Sequence, residues 1–143
     1  KDNDNLARQR WTQKWWDRRV LKQNLVTSYA VIQELEDSGY PAEKRAKCLA
    51  LLQAVALLAE TPEIQPIVQS YIAHKVMPKD PSGDALHLAI ASYYGCEFLV
   101  TWNCIHLANP LKEGHIHRIN DRLGLPTPIR TTPMNLLGEL YEL

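Results

Sequence analysis

Two carboxylates and one carboxamide occupy positions close to the carboxyl ends of predicted strands. Glu34 lies in a helix that follows the apolar segment 24–27, Asp84 lies in the first turn of another helix, and Asn103 directly follows the apolar run 98–102. Ligands of open α/β sheets bind outside the carboxyl ends of the strands. We therefore expect Glu34, Asp84 and Asn103 to converge on one edge of a sheet.

Such a set of oxygen donors would suit a divalent cation. Mg²⁺ and Mn²⁺ prefer carboxylates, carbonyl oxygens and water. Bound ions of this kind neutralise a phosphodiester and activate water for in-line attack. The residues therefore predict an acidic metal site, with Glu34 and Asp84 as ligands and Asn103 as a neutral oxygen donor.

Each member of this site also has an ordinary structural explanation. Asp84 in a first helical turn is stabilised by the helix dipole alone. Glu34 lies close to Glu36 and Asp37 and would fit a solvated acidic patch. Asn103 would fit a turn after a strand. Local spacing does not separate these alternatives from the metal site.

Other candidate metal ligands are weaker. His87 lies three residues after Asp84 and could face it, but a structural histidine is the better interpretation. A second group near the carboxyl-terminal end consists of Cys104, His106, His115 and His117. The second group contains no Cys-x-x-Cys pair, so zinc is disfavoured.

The predicted first helix, residues 5–22, is the most basic part of the chain. Trp11, Trp15, Arg18 and Lys22 share one face of it. Aromatic rings beside cations can stack on bases and contact phosphates. The candidate nucleic-acid-binding cations are Arg8, Lys14, Arg18 and Lys22. The favoured alternative is that the tryptophans cover the core while the basic tips extend into solvent.

The elements that must position these residues alternate along the chain. The predicted strands are 24–27, 56–59, 98–102 and 128–131. Four helices are predicted over 5–22, 29–37, 42–55 and 110–123. Three more are predicted after the pairs Thr61-Pro62, Asp80-Pro81 and Thr132-Pro133. Thr or Asp before Pro suits an N-cap followed by the first helical residue. Strands alternating with helices predict an α/β fold with a mainly parallel sheet.

The bulk composition narrows the function classes. The 143 residues, 45% hydrophobic and 22% charged, predict one globular domain over 1–143. Sixteen basic and sixteen acidic residues cancel, so any nucleic-acid-binding surface must be local. No apolar run reaches the roughly 18 residues that span a membrane. Three widely spaced cysteines indicate reduced thiols and a cytoplasmic location.

Three segments together resemble the PIN-domain family, and within it the VapC-like toxin branch of bacterial toxin–antitoxin pairs. Residues 25–35 resemble a strand and the helix that bears the family's helical acid, here Glu34. Residues 84–91 resemble the helix that begins with the next acid, and residues 98–109 resemble the strand and loop that carry the last site residue. The resemblance extends over nearly the whole chain.

This resemblance implies a three-layer α/β/α sandwich with a mainly parallel central sheet. It implies a metal-dependent endoribonuclease that hydrolyses RNA phosphodiesters with Mg²⁺ or Mn²⁺, often as a homodimer, and is held inactive by an antitoxin protein. Glu34, Asp84 and Asn103 would be its catalytic residues.

Two departures from the family pattern matter. Family members open with an acid-bearing strand in the middle of the sheet, and nothing before Leu6 resembles it, so we expect an upstream segment to supply it. Asn103 occupies a position where many members carry Asp, and an amide brings no negative charge. The alternatives to a nuclease are therefore a PIN-like module that binds RNA or a protein without catalysis, and a homodimeric scaffold that uses Trp11 and Trp15.

Overall fold

The computed structural model describes residues 2–19, 24–77 and 83–141. Its helices are α1 (Asp2–Arg19), α2 (Tyr29–Glu36), α3 (Ala42–Leu52), α4 (Ile64–Ala73), α5 (Asp84–Tyr93), α6 (Glu113–Leu123) and α7 (Pro133–Tyr141), and its strands are β1 (Val26–Ser28), β2 (Ala56–Leu58), β3 (Phe98–Val100) and β4 (Ile129–Thr131). The predicted alternation of strands and helices is confirmed, and the fold is mixed α/β. Lys22, Asp80 and Pro81 lie outside the described residues.

The strands form two separate parallel pairs. β1 pairs with β2, with Val26 opposite Ala56, and β3 pairs with β4, with Phe98 opposite Ile129. The Thr101 N–H donates to the Thr131 carbonyl at 2.9 Å and continues the second pair by one bond. The parallel direction was predicted. Within the described residues, however, the sheet is not continuous but consists of two two-stranded sheets.

Apolar side chains pack on both faces of β3. Leu99 packs against a large buried cluster contributed by α4, α5 and α6, in which Ile64, Leu88 and Ile116 are fully buried. Phe98 and Val100, which alternate with Leu99, pack against a second cluster between α1 and α7. Since successive strand side chains point to opposite faces, helices cover β3 on both sides.

Three helix starts test the predicted capping pairs. Thr132 accepts from the Asn135 N–H at 3.1 Å and Pro133 begins α7, as predicted. The prediction for Thr61 was wrong, because α4 begins later, at Ile64, with Glu63 at its N-cap. α5 begins at Asp84, so this residue does lie in the first turn.

A buried polar network connects three elements around Asn120. The Tyr71 hydroxyl of α4 donates to Asn120 Oδ1 of α6 at 2.6 Å. Asn120 Nδ2 lies 3.1 Å from both Ser92 Oγ of α5 and Thr127 Oγ1. Asn120 and Ser92 are fully buried, and burial raises the pKa of Tyr71, so this hydroxyl stays protonated and able to donate. Because its polar atoms are paired, the network fixes α4, α5 and α6 relative to one another.

An ion pair stabilises the start of α6. The Arg130 side chain of β4 is 1% exposed and donates to the Leu107 and Pro128 carbonyls and to the Glu113 carboxylate. Burial acts to raise the pKa of Glu113, but the hydrogen bond and charge of Arg130, with a smaller contribution from His117, outweigh burial and lower this pKa.

Candidate functional site

Asp84 and Asn103 meet at the carboxyl end of β3. Asp84 is the first residue of α5 and is 6% exposed. Asn103 lies in the turn after β3, and its Nδ2 donates to Asp84 Oδ2 at 2.9 Å. The predicted convergence of these two residues is therefore present, although they lie 19 residues apart in the sequence.

The Asn103 carboxamide is fixed in one orientation by the backbone. Its Oδ1 accepts from the Ile105 N–H at 3.2 Å and from the His106 N–H at 3.0 Å. Only the oxygen of a carboxamide can accept these bonds, so the nitrogen must face Asp84. Both lone pairs of the oxygen are used, and in this geometry Asn103 orients Asp84 and presents no oxygen to a ligand. Asn103 is therefore both a turn residue, through its Oδ1, and a partner of Asp84, through its Nδ2.

Glu34 meets α5 through His87 rather than through Asp84. Glu34 Oε2 lies 2.7 Å from His87 Nε2, which is one helical turn beyond Asp84. The His87 side chain is only 12% exposed, whereas that of Glu34 is 59% exposed. A protonated Nε2 would donate to the carboxylate and hold the exposed Glu34 side chain against α5.

Gly83 lies directly before the helix that carries Asp84 and His87, the α5 members of the Asp84–Asn103 and Glu34–His87 pairs. It is the N-cap of α5 and has φ 83°, in the left-handed region that favours glycine. A Cβ at this position would lie 4.0 Å from His87 Nε2. The chain therefore enters α5 through a left-handed residue directly before Asp84, in a position close to His87.

The donor set contains two carboxylates in separate hydrogen-bonded pairs. Among the described residues, no group of three or more His, Cys, Asp or Glu side chains is close enough to hold a metal ion together. Mg²⁺ commonly takes only one or two protein carboxylates and keeps several waters. Asp84 and Glu34 are carboxylates of that kind, whereas the described part of the chain holds no cage made only of protein ligands.

The predicted RNA-binding helix places one cation at the edge where the acidic residues lie. The Arg8 guanidinium lies 5.5 Å from the centre of the Trp102 ring, and Trp102 Nε1 donates to Thr12 Oγ1 at 2.8 Å. Trp102 immediately precedes Asn103, so Arg8 lies at the carboxyl edge of β3. Lys14 lies over the Trp11 ring, and Arg18 is exposed on the same helix.

The tryptophans of α1 mainly cover the interior. Trp15 is 8% exposed and packs with Leu136 and Leu137 of α7. Trp11 and Trp16 are partly buried against the same cluster. The favoured interpretation of these rings as core cover agrees with the structure, and Trp15 is not displayed for stacking or for a dimer interface.

Two contacts of the site were missed from the sequence. The spacing of His87 from Asp84 predicts at most a contact between these two residues, yet the partner of His87 is Glu34, 53 residues away. The apolar run 98–102 predicts Trp102 only as a strand residue. The order Asp84, then His87 one turn later, was the only available signal for the first contact, and it could not identify the partner.

Comparisons with known proteins add no identification. A scan against protein-family models, a search of curated proteins and a search of solved structures each gave no match. Within the described residues, no helix is both long and apolar enough to cross a bilayer.

Proposed function

We propose that the chain is a PIN-like, Mg²⁺- or Mn²⁺-dependent endoribonuclease of the toxin–antitoxin type. We propose further that it has a three-layer α/β/α fold and acts in the cytoplasm. The observation that carries the proposal is the Asp84–Asn103 contact at the carboxyl end of β3, with Glu34 bound to His87 one turn along the same helix as Asp84. The resemblance to the PIN-domain family supplies the reaction class. An RNA phosphodiester is the substrate, and an antitoxin and a second copy of the chain are the expected partners.

The geometry supports a division of roles among the side chains. Asp84 and Glu34 would hold the ion, which supplies positive charge against the phosphodiester and acidifies water. Asn103 Nδ2 keeps one carboxylate oxygen of Asp84 in a fixed position. His87 does the same for Glu34 and limits the positions of an otherwise exposed side chain. These contacts reduce the reorganisation that binding would require.

Arg8 supplies a cation where an RNA backbone would approach. Its guanidinium is held over Trp102, next to Asn103, and remains exposed to solvent. Guanidinium groups bind phosphate oxygens through pairs of N–H donors. Because the chain has no net charge, such a local cation must provide the attraction that net charge does not.

Cleavage of labelled single-stranded RNA, with Mn²⁺ or with chelator, tests this proposal. We expect Asp84→Asn and Glu34→Gln each to reduce metal-dependent cleavage by at least about 100-fold, since each removes one negative charge from the proposed metal site. Glu36→Gln is the matched control, because Glu36 is an exposed carboxylate on the same helix. Full activity in both site variants would refute the assignment.

A PIN-like binding module without catalysis is the second candidate. The observation that favours it is the neutral Asn103, whose oxygen is already bonded to two backbone N–H groups. Such a module would bind RNA or a protein partner and would not need the ion. Millimolar Mg²⁺ or Mn²⁺ would then leave its thermal midpoint unchanged, whereas binding at a metal site raises it.

A further inference from the structure

Trp102 is an aromatic ring at the carboxyl edge of β3 that the core does not use. It directly precedes Asn103, and consecutive Cα atoms lie about 3.8 Å apart. Phe98 and Val100 of β3 pack against the buried cluster between α1 and α7, whereas Trp102 belongs to neither buried cluster of the described residues. A large, only partly buried ring next to the candidate site is therefore available for binding.

The Trp102 ring is held in one orientation by α1. Its Nε1 donates to Thr12 Oγ1 at 2.8 Å. The Thr12 hydroxyl in turn donates to the Arg8 carbonyl, one turn back in the same helix, at 2.8 Å. Because the hydroxyl proton is used in that bond, the Thr12 oxygen acts as the acceptor for the indole. These two bonds fix the ring without burying it fully, so little ordering is required when a planar group binds.

The Arg8 side chain adds a cation to this ring. Its guanidinium lies over the ring, 5.5 Å from the centre, and Arg8 is exposed. The salt bridges among the described residues do not include Arg8. Guanidinium faces stack on aromatic rings and on nucleobases, and guanidinium edges donate to phosphate oxygens. We call Arg8 and Trp102 together the Arg8–Trp102 platform.

Other cations of the described chain also lie over aromatic rings, but in different places. Lys14 lies over Trp11, which packs against the buried cluster between α1 and α7. Lys44 lies 4.4 Å from the centre of the exposed Tyr40 ring, at the start of α3. The Arg8–Trp102 platform differs from both because it lies directly beside the candidate site. The Tyr40 pair provides a comparison with the same chemistry in another part of the surface.

A nucleobase with its attached phosphate is the ligand that matches the platform. A phosphodiester bound at Asp84 would bring the adjoining nucleotide next to Trp102, the neighbour of Asn103. An aromatic ring and a guanidinium together suit a planar base linked to an anion. An acidic peptide would use the guanidinium and leave the ring unused. Bases of a single strand can be splayed out to stack in this way, whereas bases of a duplex are already stacked on their neighbours.

We propose that the Arg8–Trp102 platform stacks one unpaired nucleobase of the RNA, from a nucleotide next to the phosphodiester at the candidate site. The platform contacts the face of the base, and the guanidinium edge binds the neighbouring phosphate. This inference rests on the proposed nuclease function for its substrate. It adds that the RNA must be single-stranded at this position.

Binding of a labelled single-stranded RNA of about eight nucleotides, measured by fluorescence anisotropy with chelator present, tests the platform without cleavage. We expect Trp102→Leu to weaken binding by about tenfold, because one base stacked on an aromatic side chain contributes roughly that factor. Trp102→Phe keeps an aromatic face and should bind within about threefold of the unsubstituted protein. Tyr40→Leu is the matched control, since it removes the ring beside Lys44, and it should leave the affinity unchanged.

A series of the same RNA with one abasic nucleotide, placed at each position in turn, separates stacking from backbone binding. At one position the missing base should weaken binding to the unsubstituted protein by about tenfold but cause no further loss in Trp102→Leu, because base and ring act as a pair. Losses that add at every position would overturn the proposal, as would unchanged affinity in Trp102→Leu. If Trp102→Leu does not fold, Thr12→Val replaces it, and its loss of about threefold should vanish at the same position.

The binding and cleavage assays can fail separately. RNA binding that does not depend on Trp102, together with cleavage that needs Asp84, would remove the stacking site and keep the nuclease. Binding that depends on Trp102 without metal-dependent cleavage would keep the stacking site in a module without catalysis. Absence of binding to any single-stranded RNA would overturn the stacking site whatever the cleavage assay gives.

Discussion

Replacing Asn103 with aspartate tests the contact on which the candidate site depends. In Asn103→Asp, a carboxylate oxygen replaces the Nδ2 that now donates to Asp84 Oδ2 at 2.9 Å. The other oxygen can keep its bonds from the Ile105 and His106 N–H groups. The substitution therefore exchanges one hydrogen bond for two adjacent negative charges and changes little else.

The energetic cost follows from the geometry. Two unit charges about 4 Å apart repel by about 4 kcal/mol at an effective dielectric constant of 20. The two backbone N–H groups would then donate to a charged acceptor, which strengthens their bonds and offsets part of the repulsion. We expect a net loss of about 2 kcal/mol in the free energy of unfolding at pH 7 without metal, a value that allows for this offset.

Both acid and divalent metal should reverse this loss. Protonation of either carboxylate removes the repulsion, so the stability deficit of Asn103→Asp should shrink as the pH falls from 7 to about 4, near the ordinary carboxyl pKa. In the folded variant, the two adjacent carboxylates would form a binding site for Mg²⁺ that the unfolded chain lacks. At 100 times its dissociation constant it should stabilise the variant by about 2.7 kcal/mol.

Urea unfolding at pH 7 and at pH 4, with and without Mg²⁺, measures these changes. Asn109→Asp is the matched control. Asn109 Oδ1 accepts from the Leu111 N–H and Asn109 Nδ2 donates to the Ile105 carbonyl, so this variant also loses an amide donor, but its new charge faces a carbonyl oxygen and not a carboxylate. A deficit in Asn103→Asp that is the same at both pH values, together with a Mg²⁺ response no larger than that of the unsubstituted protein, would show that residues 84 and 103 do not face each other.

Three further substitutions test the scaffold. Tyr71→Phe should lower the free energy of unfolding by about 1–3 kcal/mol, because Asn120 Oδ1 stays buried without its donor. Urea unfolding measures this loss of stability, and an unchanged midpoint would contradict the role of the Tyr71–Asn120 hydrogen bond. Gly83→Ala should cost about 1 kcal/mol through its left-handed backbone, with Gly39→Ala, at a position without positive φ, as the thermal-melt control. The lowered pKa of Glu113 contributes stability above the unfolded-state pKa that is lost as the pH falls through the folded-state value. Glu113→Gln should therefore lose less stability between pH 7 and pH 3 than the unsubstituted protein, and an equal loss would rule out this contribution.

The proposed site was only partly predictable from its residues. The apolar run before Asn103 and the helix beginning near Asp84 correctly placed both side chains at one strand end. The role of Asn103 was not predictable, because it depends on which atom of the carboxamide the backbone of Ile105 and His106 engages. The partner of His87 was not predictable either, since it depends on how α2 packs against α5, and the two residues are 53 positions apart in the sequence.

Local sequence determined the secondary structure of this protein. Apolar runs and Thr-Pro pairs predicted the order of the helices and strands in the described chain, and the Thr132–Pro133 pair predicted the start of α7, because such signals act within one or two turns; the start of α4 was predicted too early. Tertiary structure alone decided that the described strands form two separate pairs and that Glu34 reaches His87. These features depend on contacts between segments that are far apart in the chain. Such contacts are set by the packing of whole helices and strands, and the spacing of residues within one segment does not encode them.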